Sequence, residues 1–263
     1  MYWKQEIILI ILWLWRISTG LQVVLCIRLA ANGLWRSYPY FFAYIAALAT
    51  ESTILMLLDH SKVLYKVWVV TRAILLAVET AAVLEIFNRW SDSFHGIGKF
   101  GKQLLLVLLV IATGLCLSTV PINWSTRGGV FAIAVFLMFV VNRAVHAGLA
   151  TFLILMLGFY SKFGGPVARN LKRHTWAMTA FVVANALSYF LLASKNYGMG
   201  NMLLQAIATG TLIFWIMALR RSGEVPPETP KNPQAWAEAE EFNRQLIDFT
   251  DKFKQPRRAV ERK

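Results

Sequence analysis

Residues 64–89 read LYKVWVVTRAILLAVETAAVLEIFNR, an apolar run with Arg72 and Glu79 set inside it and Glu85 and Arg89 near its end. About 20 predominantly apolar residues carry a helix across a bilayer core of about 30 Å. A run of this length without Gly or Pro predicts a membrane helix, because lipid offers a backbone no hydrogen-bond partners but its own. Working outward in both directions, apolar runs bounded by charges and Gly or Pro predict seven spans, at roughly 5–30, 38–58, 64–89, 103–121, 128–159, 173–194 and 199–219. The expected fold is all-α: a polytopic bundle of seven transmembrane helices over residues 1–221, with a cytosolic tail over 222–263.

Composition points the same way. Of 263 residues, 57% are hydrophobic and 16% charged, and the mean hydropathy is +0.52. This balance excludes a disordered chain, a disulfide scaffold and a cytosolic enzyme. The first run is interrupted by Arg16 and exceeds the roughly 7–15 apolar residues of a secretory signal core, so it reads as a permanent helix. The long fifth span carries Gly148 and Gly158, where a neighbouring helix could approach closely. Cys26 and Cys116 fall at opposite ends of the bundle, too far apart to bridge, and read as small buried hydrophobes. Soluble sequence is confined to connections and the tail, leaving no room for an appended kinase, cyclase or nuclease domain.

Orientation follows from the cations. With the N-terminus outside, the inner side collects Arg28, Arg36, Arg89, Lys99, Lys102, Lys162, Arg169, Lys172, Arg173, Arg220 and Arg221, and the outer side only Lys4, Lys62, Lys66, Arg127 and Lys195. The net charge of +13 is then a matter of topology and anionic lipid rather than nucleic acid. Trp3, Trp35, Tyr38, Tyr65, Trp90, Trp124, Tyr160 and Tyr197 lie near span ends, as interfacial aromatics do.

In the tail, Asn232-Pro233 supplies an N-cap with proline at the first helical position. Trp236, Ala239, Phe242, Leu246, Phe249 and Phe253 then recur every three or four residues, which predicts an amphipathic helix over about 233–254 that ends before Pro256. Such a helix rests on the membrane surface or the bundle, or docks a cytosolic protein partner through Trp236, Phe242, Leu246, Phe249 and Phe253.

Ionisable groups inside a span cost at least about 2.5 to 3.5 kcal/mol each at the helix centre, so they should turn inward and pair. Here they are Arg16, Glu51, Arg72, Glu79, Arg143 and His146, with Asn142, Asn185 and Gln205 as neutral companions. Glu51 and Arg72 share a depth and make the best-matched pair. Arg16, Glu79, Arg143 and His146 cluster nearer the midplane, so Glu79 can pair with Arg16 or Arg143. Glu85 and Arg89 have the spacing of an i,i+4 pair. These pairs either lock helices together or line a polar cavity that binds a ligand or relays a proton, with His146 the side-chain type that titrates nearest neutral pH.

Named chemistries fail for lack of their residues. The seventh span, 199–219, has no lysine for retinal, and of His60, His95, His146 and His174 only His146 is expected deep, which leaves a transmembrane haem without facing ligands. HExxH, Gly-x-Ser-x-Gly and paired intramembrane aspartates are missing, and the EExxxR signature of CAAX-type membrane proteases would need a carboxylate where Leu84 stands before Glu85. No cofactor or metal is expected. Gly96-Ile97-Gly98-Lys99-Phe100-Gly101 spells GxGxxG, but without a βαβ unit it reads as a flexible inner turn. Lys99 and Lys102 beside it could hold lipid phosphates, as could Lys162, Arg169, Lys172 and Arg173 around Gly164-Gly165-Pro166.

The segments Leu21-Gln22-Val23-Val24-Leu25, Arg36-Ser37-Tyr38-Pro39-Tyr40-Phe41, and Val78-Glu79 through Leu84-Glu85-Ile86-Phe87 to Phe94-His95-Gly96-Ile97 resemble a group of uncharacterised seven-helix proteins of soil bacteria such as acidobacteria. The resemblance covers about the first half of the chain. It implies a bacterial inner-membrane setting and carries no activity. The seven-helix plan, N-terminus out and C-terminus in, is also similar to the sensory regions of bacterial histidine kinases, at the level of fold alone. The expectation is a non-enzymatic sensor or scaffold, with an outward polar cavity as input and the tail helix as contact to a partner. The alternative is a small carrier or proton-coupled permease using Glu79, Arg143 and His146.

Overall fold

The computed structural model describes residues 2–58, 63–92, 95–118, 129–163, 167–193, 197–225 and 233–260. Lys62, Phe94, Trp124, Arg127, Gly164, Gly165, Pro166, Lys195 and Asn232, all named above, lie outside the described residues. The described residues form helices throughout: α1 Tyr2–Ala31, α2 Leu34–Ser37, α3 Pro39–Leu57, α4 Leu64–Ser91, α5 His95–Ser118, α6 Gly129–Phe163, α7 Arg169–Ala193, α8 Tyr197–Ala218 and α9 Pro233–Val260. A single 3₁₀ turn, Arg221–Gly223, follows α8.

Six of these helices are long and apolar enough to cross a membrane: α1, α3, α4, α5, α6 and α8. The remaining expected span, the sixth at 173–194, falls on α7, which has the length, 25 residues, but not the apolarity. Its position explains why. α1 packs on α3 and α8, α3 on α4, α4 on α6 and α7, α6 on α7, and α7 on α8, which closes a ring. Within that ring α7 buries Asn170, His174, Thr175, Thr179, Asn185 and Ser188, and leaves outside a stripe of Trp176, Leu187 and Phe190. A helix whose polar side chains face protein does not need the hydropathy of one bathed in lipid. α5 lies outside the ring against α6 and α4.

The core is aromatic where α3, α7 and α8 meet. Phe41 stacks 4.2 Å from His174 and 4.9 Å from Trp215, centroid to centroid. On the other side Trp90 lies 4.2 Å from Tyr160, and its indole N–H donates to the Thr175 hydroxyl at 2.8 Å. Of the expected interfacial aromatics, Trp35 and Tyr65 are exposed, whereas Tyr38, Trp90 and Tyr160 are buried. Helix ends that pack on one another convert interfacial positions into core.

The GxGxxG stretch is not a flexible turn but the opening of α5, eight residues earlier than expected for the fourth span. Each glycine removes a side chain where another element approaches. A Cβ at Gly96 would collide with Asn243 of α9, one at Gly98 would crowd Ser91, and one at Gly101 would overlap the Phe87 ring. Gly148 likewise seats Leu109 of α5, while Gly158 has open space around its Cβ position and seats no helix.

α9 runs past Pro256 to Val260, longer than expected, since proline removes a single backbone donor and its neighbours continue the turn. The helix rests on α5 and α6. Ala239 is fully buried against Ile97, with Trp236 and Leu246 packed around them. Phe242 stacks 6.2 Å from Phe159, and with Leu246 it roofs an apolar cavity of about 240 Å³ between α5 and α6. Phe242 and Phe249 keep a flanking stripe that is 41% and 60% exposed, and Phe253 belongs to the last part of α9, where side chains are not described. Of the settings expected for the tail, contact with the bundle is present.

Replacing Gly101 with leucine should lower stability by about 1–3 kcal/mol through overpacking against Phe87. Gly114→Ala, where nothing lies within 4 Å, should be neutral or slightly stabilising. Thermal unfolding midpoints in detergent measure both, and equal midpoints would contradict the packing role given to the motif.

Candidate functional site

The expected pair of Glu51 and Arg72 forms: Arg72 Nη1 lies 3.8 Å from Glu51 Oε2, while the Thr71 hydroxyl donates to Glu51 Oε1 at 2.9 Å. One turn of helix presents Thr71 and Arg72 side by side on α4, facing Glu51 on α3.

Glu79 does not meet Arg16 or Arg143. Its Oε2 lies 3.3 Å from His146 Nε2, with both side chains 2% exposed. Arg16 is exposed and stacks its guanidinium 5.6 Å from the Trp13 ring centroid. Arg143 turns to α5, where its Nη2 donates to the Cys116 carbonyl at 2.8 Å, one of the carbonyls that the last turn of α5 leaves without an intrahelical partner.

The Glu79–His146 contact has a defined hydrogen-bond logic. His146 Nδ1 lies 2.7 Å from the Asn142 carbonyl, which only accepts, so Nδ1 carries a proton. Nε2 then faces a carboxylate oxygen, and two lone pairs at 3.3 Å repel unless one further proton sits between them, on the ring or on the carboxyl. The couple is therefore a one-proton device. Glu79 Oε1 and the Asn142 side-chain oxygen are buried without a hydrogen-bond partner, so acceptor capacity is left over beside it. The Tyr189 ring of α7 stacks 5.3 Å from the imidazole, so α4, α6 and α7 meet at the couple. Asn185 is not part of it; its amide donates to the Phe181 carbonyl of its own helix at 2.9 Å.

A second polar cluster occupies the other end of the ring. Glu85 and Arg89 do not serve each other. The Glu85 carboxylate accepts the backbone N–H groups of Tyr40 at 3.4 Å and Phe41 at 3.0 Å, and so caps α3 from α4. Arg89 donates to the Ser37 carbonyl, stacks 4.4 Å from the Tyr38 ring centroid and lies 3.7 Å from Glu224. His174, expected shallower than His146, is fully buried between Tyr38, Phe41 and Trp215, with neither ring nitrogen hydrogen-bonded. Arg173 caps α8 through the Ala218 carbonyl at 3.0 Å. Asn243 of the tail caps α5, its side-chain oxygen accepting from Gly96 at 2.8 Å and Ile97 at 3.3 Å.

Of the lipid-phosphate candidates, Lys99, Lys102, Lys162, Arg169 and Lys172 are exposed and Arg173 half-buried. Sequence reasoning missed Tyr189, Asn170, Arg220, Glu224 and Asn243, which are ordinary residues in ordinary places until the fold brings them to a helix end. Among the described residues no group of three or more His, Cys, Asp or Glu is placed to hold a metal ion. Cys26 and Cys116 are free thiols, half-buried and buried respectively.

Truncating Glu85 to alanine should cost about 0.5–2 kcal/mol by uncapping α3, and Glu85→Gln, which keeps one acceptor oxygen, should cost less. The check is the pair of unfolding midpoints; an alanine variant as stable as the parent would remove the cap from the account. No protein-family model, curated protein or solved structure matches this chain, so any functional reading rests on the geometry of these side chains.

Proposed function

We propose that this chain is a non-enzymatic sensor of a bacterial inner membrane, with seven transmembrane helices, its N-terminus outside and its C-terminal tail in the cytosol. The Glu79–His146 couple is the input and the docked tail helix the output. The count of seven is supported by α7, long enough to span and placed between α6 and α8. The orientation is supported by the excess of Lys and Arg on the inner side.

One observation carries the reading. α6 bears His146 at its middle and, about 20 Å further along the same helix at roughly 1.5 Å per residue, Phe159, against which Phe242 of α9 packs. A change in the α4–α6 contact therefore has a rigid route to the seat of the tail. Loss of the shared proton sets two lone pairs face to face and separates α4 from α6. The tail, which sits over a cavity and is held to α5 by the Asn243 cap and the small Ala239–Ile97 cluster, is the element freed most cheaply. A ligand that bridges the couple would bias the same two arrangements.

A proton-coupled carrier is the second reading, because a proton shared between two membrane helices is also the elementary step of such a carrier. Seven spans do not divide into equal repeats, which counts against it.

Amide hydrogen exchange in proteoliposomes, corrected for intrinsic rates, separates these readings. Exchange at residues 96–99 and 236–247 should rise severalfold once raising the pH removes the shared proton. In Glu79→Gln, whose amide donates to His146 Nε2 with no proton to lose, that rise should vanish. Asn243→Ala should show fast exchange at every pH. A wild-type tail that ignores pH, or an E79Q tail that follows it, overturns the sensor. Proton-driven uptake that depends on Glu79 while the tail stays still selects the carrier.

A further inference from the structure

Beyond α8 the chain folds back onto the start of α7. Asn170, fully buried, donates to the Arg220 carbonyl at 2.6 Å and accepts from the Arg220 N–H at 3.3 Å. Gly223 lies so close to the Asn170 side chain that any Cβ there would overlap it. This clamp fixes the 3₁₀ turn and with it the walls of a cavity of about 360 Å³.

The lining is lopsided in charge. Arg169, Arg173, Arg220 and Ser222 line the cavity, and no Asp or Glu is among the lining residues. Glu224, the acidic residue adjoining the turn, is engaged by Arg89 and by the Asn170 amide. Arg173 is held in place by the Ala218 carbonyl, so it cannot swing out to relieve the repulsion. Three like charges around one concavity destabilise the empty site and favour an anion with several acceptor oxygens, which guanidinium forks match best. The first turn of α7 starts at Arg169 and adds its own positive potential.

The opposite wall is apolar. Phe214 and Met217 line the cavity from α8 and are 40% and 60% exposed on the outside of the bundle. On a helix apolar enough to cross a bilayer, that outside is where acyl chains run. One wall thus suits a phosphate at the membrane surface and the other the hydrocarbon below it.

We infer that this cavity binds the phosphate of an anionic phospholipid, with Arg169, Arg173 and Arg220 on the phosphate oxygens and the acyl chain along Phe214 and Met217. The shared chemistry with free phosphate is the oxyanion; the apolar wall is what selects the lipid. The site is separate from the Glu79–His146 couple, and it requires only that α8 crosses the bilayer, so it survives failure of the sensing reading.

The test is native mass spectrometry of the full chain released from nanodiscs of phosphatidylglycerol and phosphatidylcholine, with inorganic phosphate and glycerol phosphate as separate additions. Retention of one phosphatidylglycerol over phosphatidylcholine is expected, together with a loss of about tenfold in affinity for Arg220→Gln and a further loss on adding Arg169→Gln. Both side chains are exposed, so unchanged unfolding midpoints should accompany the loss. Lys99→Gln with Lys102→Gln should leave retention as it is. Equal retention of the two lipids, retention unaffected by R220Q, or complete displacement by inorganic phosphate at equal concentration would each overturn the inference.

Discussion

A helix leaves backbone donors at its start and acceptors at its end, and near lipid there is little water to satisfy them. In this bundle neighbouring elements satisfy them with polar side chains. Glu85 closes the start of α3 and Asn243 the start of α5. Arg143 closes the end of α5, Arg173 the end of α8, and Arg89 takes the Ser37 carbonyl at the end of α2. Every such contact joins two elements as well as ending one, so the caps also set which helices are neighbours. Removing either partner strands a buried polar group, which is costlier than the bond itself is worth.

What the sequence could disclose follows from what it encodes locally. Bilayer thickness dictates run length, so the apolar spans stand out, and Glu51 and Arg72 are recognisable as partners because two consecutive helices bring them to one depth. Depth alone does not choose a partner for Glu79. Arg143 and His146 lie within a turn of each other on α6, yet one faces α5 and the other α4, a distinction of azimuth that depends on where the fold sets α5. The cap at Asn243 was equally illegible, since an asparagine in a surface helix has no local mark of a partner nearly 150 residues earlier. The GxGxxG letters mislead for a related reason: glycine repeats mark close approach, and both phosphates and helices approach closely.

α7 shows the limit of hydropathy as a signal. Its polar residues lower its apolarity below that of the other long helices in the ring, and they are the residues the ring encloses. The same burial places Trp90 against Thr175 and seats His174 among aromatic rings, so the least apolar helix of the ring is also a centre of packing. Its large exposed side chains form only a narrow stripe of Trp176, Leu187 and Phe190.

Assigning the caps narrows the chemistry. Arg143, expected in the midplane cluster, instead terminates α5, and Glu85, Arg89 and Arg173 likewise serve helix ends. Arg16 is exposed and lies over Trp13, and Glu51 is committed to Thr71 and Arg72. Glu79 and His146 close no helix end. They hold one proton between them, keep an unused acceptor on Glu79, and sit where α4, α6 and α7 meet. Burying two ionisable groups at that depth costs several kcal/mol in desolvation, and a pair of well-packed apolar side chains would hold α4 to α6 at least as well. The couple is thus costly for packing alone, and it lies on the helix that also seats the tail.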